Sequence, residues 1–260
     1  MLAYEMRGRG TPLLLIHAFP LSRLMWKEQM GALKPRAKVI APDLPGFGES
    51  PGLAQPSLPQ MAREVAALLD ELKVREPVLL CGLSMGGYVA FEFLRQFPDR
   101  VRALGLFSTR AASETPEGRH GRFKAIQKIK EEGLAAFAQR ILPHLLGRTT
   151  LESQPATVGE VTRMILANRP EGVTDALQAM ADRRDSTDLL SGIHCPALVV
   201  AGEEDPFIPP LEAQGMQAKI TGSDLALIPR AGHLVNLEQP AAFQEALDRF
   251  LYKLQHCNIC

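Results

Sequence analysis

The chain has 260 residues, 46% hydrophobic and 22% charged, enough to bury a large core as one domain with an insertion. Its formal net charge of +0 argues against a basic face for nucleic acid or an acidic membrane, and against strong steering of a charged substrate. Apolar runs such as Pro12–Ile16 are far too short to span a bilayer, and the opening Met-Leu-Ala-Tyr-Glu-Met-Arg lacks a signal-peptide core. A cytoplasmic protein is the expectation.

In chain order, strand-like runs lie near residues 2–6, 12–17, 37–41, 77–81, 102–107, 197–201 and 224–228. Helix-like stretches intervene at Arg23–Lys34 and at Leu58–Leu72, where Ser57 followed by Gln60 has the form of a capping box. This alternation predicts a mostly parallel sheet with helices on both faces. The stretch 110–195 is far too long for one crossover helix. It has helical periodicity instead, at Phe123, Ile126 and Ile129, then Leu134, Phe137, Ile141 and Leu145, then Val161, Ile165 and Leu166, then Leu177 and Met180. A final helix follows Pro240, which suits a first helical position, with Phe243, Leu247, Phe250 and Leu251 on one face.

Residues 82–87, Gly-Leu-Ser-Met-Gly-Gly, stand between an apolar strand and a helix. So sharp a corner forces Ser84 into a strained backbone conformation that lifts its hydroxyl above the sheet. Side chains at Gly82 and Gly86 would collide with the neighbouring strand or helix. Gly-x-Ser-x-Gly alone occurs by chance in roughly one chain in ten of this length. A serine nucleophile also needs a base, and the base an orienting acid. Asp205 follows the strand at 197–201, and His233 follows the strand at 224–228. All three would sit at carboxyl ends of strands, where open parallel sheets bind ligands, and in the order serine, acid, histidine.

With these residues in place, the chain resembles the α/β-hydrolase superfamily from about residue 2 to residue 254. His17-Ala-Phe-Pro20 resembles the family's His-Gly-Phe-Pro oxyanion segment, and Asp43–Ser50 its Asp-x-x-Gly-x-Gly-x-Ser turn. Gly202–Asp205 with Pro209, and Gly232–Pro240, resemble its Gly-x-x-Asp-x-x-x-Pro and Gly-His-x-x-x-x-Glu-x-Pro segments. Ala18 departs from the family's glycine, which bears on pocket shape. The branches most alike are small esterases, enol-lactonases of the 3-oxoadipate type, and cofactor-free haloperoxidases or perhydrolases.

The resemblance implies an α/β-hydrolase core over 1–109 and 196–254, a helical cap over 110–195 and a tail over 255–260. It implies Ser84 as nucleophile, His233 as base and Asp205 as the acid, with Glu203 and Glu204 as rivals that family spacing disfavours. Backbone N–H groups of Phe19 and Met85 would hold the oxyanion. Two to five of Phe137, Ile141, Leu142, Leu145, Met164 and Leu177 are expected to face substrate. The implied activity is hydrolysis of a small-molecule carboxylic ester or lactone through an acyl-enzyme, with no cofactor, metal, nucleic acid or membrane partner. Perhydrolysis, and a ligand-binding protein that keeps the triad, are the alternatives. Aspartate-nucleophile dehalogenases and epoxide hydrolases are disfavoured by Ser84, and carbon–carbon bond hydrolases by Leu83.

Other polar residues have plainer readings. His17 is expected to hold backbone groups in its loop, Asp43 to hydrogen-bond its own turn, and Glu238 to cap the last helix. His120, His144 and His194 read as surface or packing residues. Cys81 and Cys195 read as small hydrophobes in strands. Cys257 and Cys260 read as part of a frayed tail, in preference to half a zinc site or a prenylation box.

Overall fold

The computed structural model describes residues 1–256; Cys257 and Cys260 lie outside the described residues. Seven strands form one sheet: β1 (Tyr4–Arg7), β2 (Pro12–Ile16), β3 (Lys38–Pro42), β4 (Val78–Leu83), β5 (Val101–Phe107), β6 (Ala197–Gly202) and β7 (Asp224–Ile228). Their spatial order is β1-β3-β2-β4-β5-β6-β7, with only β1 antiparallel to its neighbour. β2, β4 and β6 are buried at every position, so their sequences are unbroken apolar runs rather than alternations. β1 and β7 form the edges and are partly exposed. Between β2 and β4 the order reverses direction, a topological switch point at which doubly wound sheets open a crevice.

The helix expected over Arg23–Lys34 is a 3-10 turn, Arg23–Trp26, followed by α1 (Lys27–Leu33). In α2 (Leu58–Glu71) the Ser57 hydroxyl accepts the Gln60 N–H at 3.3 Å. The Gln60 side chain turns to Arg63 and Glu64, so only half of the expected capping box forms. Ser57→Ala is expected to lower stability by about 1 kcal/mol, read as a shift in urea midpoint at unchanged m.

α3 (Met85–Gln96) follows β4 directly. The long insertion between β5 and β6 contains α4 (Pro116–Leu145), α5 (Arg148–Ser153), α6 (Pro155–Leu166) and α7 (Pro170–Ala181). α4 is two helices meeting at Gly133, whose φ of 81° and ψ of 173° lie outside helical space. The core resumes with α8 (Pro210–Lys219), α9 (Val235–Glu238) and α10 (Pro240–His256). α10 takes in Gln255 and His256, which the sequence reading assigned to a tail, because Leu254 continues its packed face. Trp26, Phe107 and Phe243 meet at ring-centroid distances of 5.0–6.4 Å and lock the first helical segment, β5 and α10 together.

Candidate active site

Ser84 has φ 56° and ψ −113°, the strained corner that the Gly-x-Ser-x-Gly spacing predicts. Its backbone is held by hydrogen bonds on both sides. Its N–H donates to Phe107 O at 2.9 Å, and its carbonyl accepts the Thr109 hydroxyl at 2.9 Å and the Gly87 N–H at 2.9 Å. A Cβ at Gly82 would overlap the Gly86 carbonyl, and one at Gly86 would overlap the Ile16 carbonyl of β2. Both glycines are therefore demanded by close backbone approach. Met85 opens α3, so its N–H has no intrahelical acceptor.

Beyond β2, the segment Ala18–Leu21 lies beside this corner. Ala18 N–H donates to Met25 Sδ at 3.2 Å and Leu21 N–H to Ala18 O at 2.9 Å; these bonds leave the Phe19 N–H out. His17 braces the segment from behind. Its Nδ1 donates to Ala18 O at 2.9 Å while Nε2 accepts the Leu44 N–H at 2.9 Å. Burial pushes the imidazole below its usual value, outweighing the pull of the Ala18 carbonyl and of Asp43. A neutral ring is what this pair of bonds requires. Asp43 accepts the backbone N–H groups of Arg23 and Glu49 at 2.8 and 3.0 Å and pairs with the Arg23 guanidinium, so it ties its own turn.

After β6, Asp205 Oδ1 accepts the N–H groups of Phe207 and Ile208 at 2.8 and 2.9 Å. Its Oδ2 lies 2.7 Å from His233 Nδ1, and both side chains are fully buried. His233 Nε2 is buried with no partner among the described residues. Phe207 packs edge-on against the imidazole at 5.3 Å. Glu204 turns away, accepting Thr149 N–H and hydroxyl at 2.8 and 2.6 Å.

Ser84, His233 and Phe19 line one cavity of about 630 Å³. Of the six cap residues expected to face substrate, Phe137, Ile141, Leu145 and Leu177 line it; Leu142 and Met164 do not. Both pack in the cap, with Met164 buried within the hydrophobic core. Residues not expected from sequence to face substrate line it too: Tyr88, Arg110, Glu114, Arg122, Met180 and Phe207. Tyr88 was findable, because it stands one helical turn after Ser84 on the same face of α3. Arg110, Arg122, Lys124, Lys128 and Arg140 bring five cations to the cavity against one carboxylate, Glu114. Exposed His144, read as a surface residue, also borders the opening. A neutral total charge conceals this concentration.

The cap is fastened to the loops that carry these groups. Gly147 lies so close to Gly232 that a Cβ on either would overlap the other's backbone, and Gly172 crosses Gly46 in the same way. Glu238 does not cap the last helix. Its carboxylate accepts Gly147 N–H at 2.8 Å, the Thr150 hydroxyl at 2.7 Å and Leu234 N–H at 3.0 Å, joining the cap to the His233 loop. Burial raises its carboxyl above the usual value despite these donors. Asn168 links the other side, donating to Pro20 O at 2.8 Å and accepting Gly48 N–H at 2.9 Å. Asn168→Ala strands both backbone groups and is expected to cost about 1–3 kcal/mol, measured by chemical denaturation.

The sheet order, the helical insertion and the serine at a strained strand-to-helix corner define an α/β hydrolase. The chain belongs to that family: the family model for the alpha/beta hydrolase fold matches residues 11–240. A thermophilic esterase from Thermogutta terrifontis, solved with malate bound, superimposes with a TM-score of 0.93 at 41% identity, covering 97% of this chain and 93% of that one. The 3-oxoadipate enol-lactonase 2 of Acinetobacter baylyi is 29% identical over 86% of this chain and 82% of its own length. The dihydrolipoyllysine-residue acetyltransferase component of the acetoin cleaving system from Pseudomonas putida is 33% identical over 96% of this chain, which spans 66% of that protein. Among the described residues no helix is long and apolar enough to cross a membrane.

Proposed function

We propose that the protein hydrolyses carboxylic esters or lactones through an acyl-enzyme on Ser84. The observation that carries this reading is the buried Asp205–His233 pair, 2.7 Å apart: His233 lines the same cavity as Ser84, and its Nε2 has no partner among the described residues. Asp205 fixes the tautomer with the proton on Nδ1, which leaves Nε2 basic. As Ser84 Oγ bonds to the acyl carbon, Nε2 takes its proton. The imidazolium then gives that proton to the departing oxygen as the carbon–oxygen bond breaks. Water repeats the sequence on the acyl-enzyme and frees the acid. The N–H groups of Phe19 and Met85 hold the oxyanion, each worth about 2.7–4 kcal/mol in the transition state.

The cap, residues 110–195, completes the acyl-binding side of this site in the proposal, with Phe137, Ile141, Leu145 and Leu177 as its apolar wall. A serine-directed phosphonate tests the reading. The intact protein is expected to gain one phosphonyl mass, mapped to Ser84, and to lose ester turnover in step. No adduct at Ser84, with ester turnover intact, overturns it.

A further inference from the structure

Ala18, Phe19, Pro20 and Leu21 form one tight turn, closed by Leu21 N–H donating to Ala18 O at 2.9 Å. The Phe19 N–H belongs to that turn, so the turn's orientation decides where this donor points. From the core side, His17 Nδ1 holds the Ala18 carbonyl and Met25 Sδ the Ala18 N–H. Both bonds fasten the base of the turn. At its tip Pro20 has no N–H, and its carbonyl is the polar handle it offers.

The cap takes that handle. Asn168, 6% exposed and two residues past the end of α6, donates from Nδ2 to Pro20 O at 2.8 Å. The same nitrogen donates to Met164 O at 2.9 Å, and Oδ1 accepts Gly48 N–H at 2.9 Å. Two carbonyls face one end of the amide and an N–H the other, so only this orientation satisfies all three. Asn168 thus ties α6, the tip of the Phe19 turn and the Asp43–Ser50 turn at one point. The neighbours make the joint tight. The Phe19 ring meets Phe47 edge-on at 6.3 Å and Phe137 of α4 at 6.2 Å, and Gly172 crosses Gly46 at backbone contact. Asn168 is not among the cavity-lining residues, so it acts through the turn and not on substrate.

We propose that Asn168 is a positioning residue for the oxyanion hole: by holding the Pro20 carbonyl it sets the Phe19 N–H against the oxyanion formed on Ser84. The proposal rests on the reading of Ser84 as nucleophile with Phe19 as an oxyanion donor. It gives the cap a part in bond cleavage besides its part in shaping the acyl pocket. The oxyanion exists only once Ser84 Oγ has added to the carbonyl, so the bond from Asn168 serves the transition state and leaves ground-state affinity alone. One such donor is worth roughly 10²- to 10³-fold in kcat, and a shift of about 1 Å can cost about 10²-fold.

An activated acetate ester, whose short acyl group makes least use of the cap wall, tests this in two variants. Asn168→Asp keeps the shape but turns an acceptor toward two carbonyls; Asn168→Ala removes the side chain. Losing these bonds leaves a domain of ordinary stability folded, and rates are counted per site titrated with the serine-directed phosphonate, so unfolded molecules drop out. Each variant is expected to lose at least tenfold in kcat, with KM within about twofold of wild type. A trifluoromethyl ketone, which adds to Ser84 as an oxyanion, should bind more weakly by the same factor, while the methyl ketone, which stays a carbonyl, should bind as before. Loss through KM alone, equal weakening of both ketones, or unchanged kcat in both variants overturns the proposal. A wild type that hydrolyses no ester and gains no phosphonate at Ser84 sinks the hydrolase reading and this proposal with it. A wild type active at Ser84, with variants that match it, sinks the role of Asn168 alone.

Discussion

Replacing His233 with alanine is expected to lower kcat for an activated ester by about 10⁴- to 10⁶-fold. The imidazole is fully buried, and Asp205 is its only side-chain hydrogen-bond partner among the described residues. Ser84→Ala is expected to fall to the same floor, and the double variant to fall no further, because in the proposed mechanism the two groups act as one unit. Asp205→Asn leaves the ring in place but offers a donor where Nδ1–H needs an acceptor, at a cost of about 10⁴-fold. The check is single-turnover kinetics on one ester, with circular dichroism showing an unchanged fold. If Ser84→Ala/His233→Ala falls a further thousandfold below either single variant, the two residues are not a functional pair.

The second large effect concerns stability. Glu114→Gln is expected to destabilise the protein by about 3–5 kcal/mol at pH 7, since it leaves Arg122 and Arg183 buried without their counter-charge. The sign of the pH dependence follows from the direction of the shift. Glu114 is held below the ordinary carboxylate value of about 4.3, so its contribution is complete above that value. It is lost as pH falls through the lower, folded-state value, where the wild-type side chain takes up a proton. The difference in unfolding free energy between wild type and Glu114→Gln should therefore be largest near neutrality and narrow in acid. A difference constant from pH 7 to pH 3 would show that the carboxylate's charge contributes nothing.

Much of the frame was legible in the chain because each central strand is buried on both sides and so spells an uninterrupted apolar run. The placement of Ser84, Asp205 and His233 was legible for a related reason: Ser84 and Asp205 follow such runs, His233 follows the apolar edge strand β7, and strand ends converge on one edge of a parallel sheet. What escaped was everything set by distant backbone. The break at Gly133 has no flanking signal, since glycine in a helix-like stretch reads as a tolerated residue. Glu238 sits two residues before α10 and reads as its cap, but its partners Gly147 and Thr150 lie about ninety residues earlier in the chain. The cavity cations escaped for a different reason. Lys124, Lys128 and Arg140 occupy positions on α4 that look like a solvated face, and only the placement of the cap turns that face over the sheet.

The crossings of Gly147 on Gly232 and Gly172 on Gly46 carry a consequence for redesign. They work as sockets, and any foreign cap grafted onto this core must bring small residues at both or be held off the His233 and Phe19 loops. α4 lies outside both sockets, and it supplies Arg122, Lys124, Lys128, Phe137, Arg140, Ile141 and Leu145 to the cavity wall. Libraries confined to Pro116–Leu145, with the residues Gly147, Asn168 and Gly172 untouched, should retune acyl preference in the proposed reaction while leaving Ser84, Asp205 and His233 unchanged.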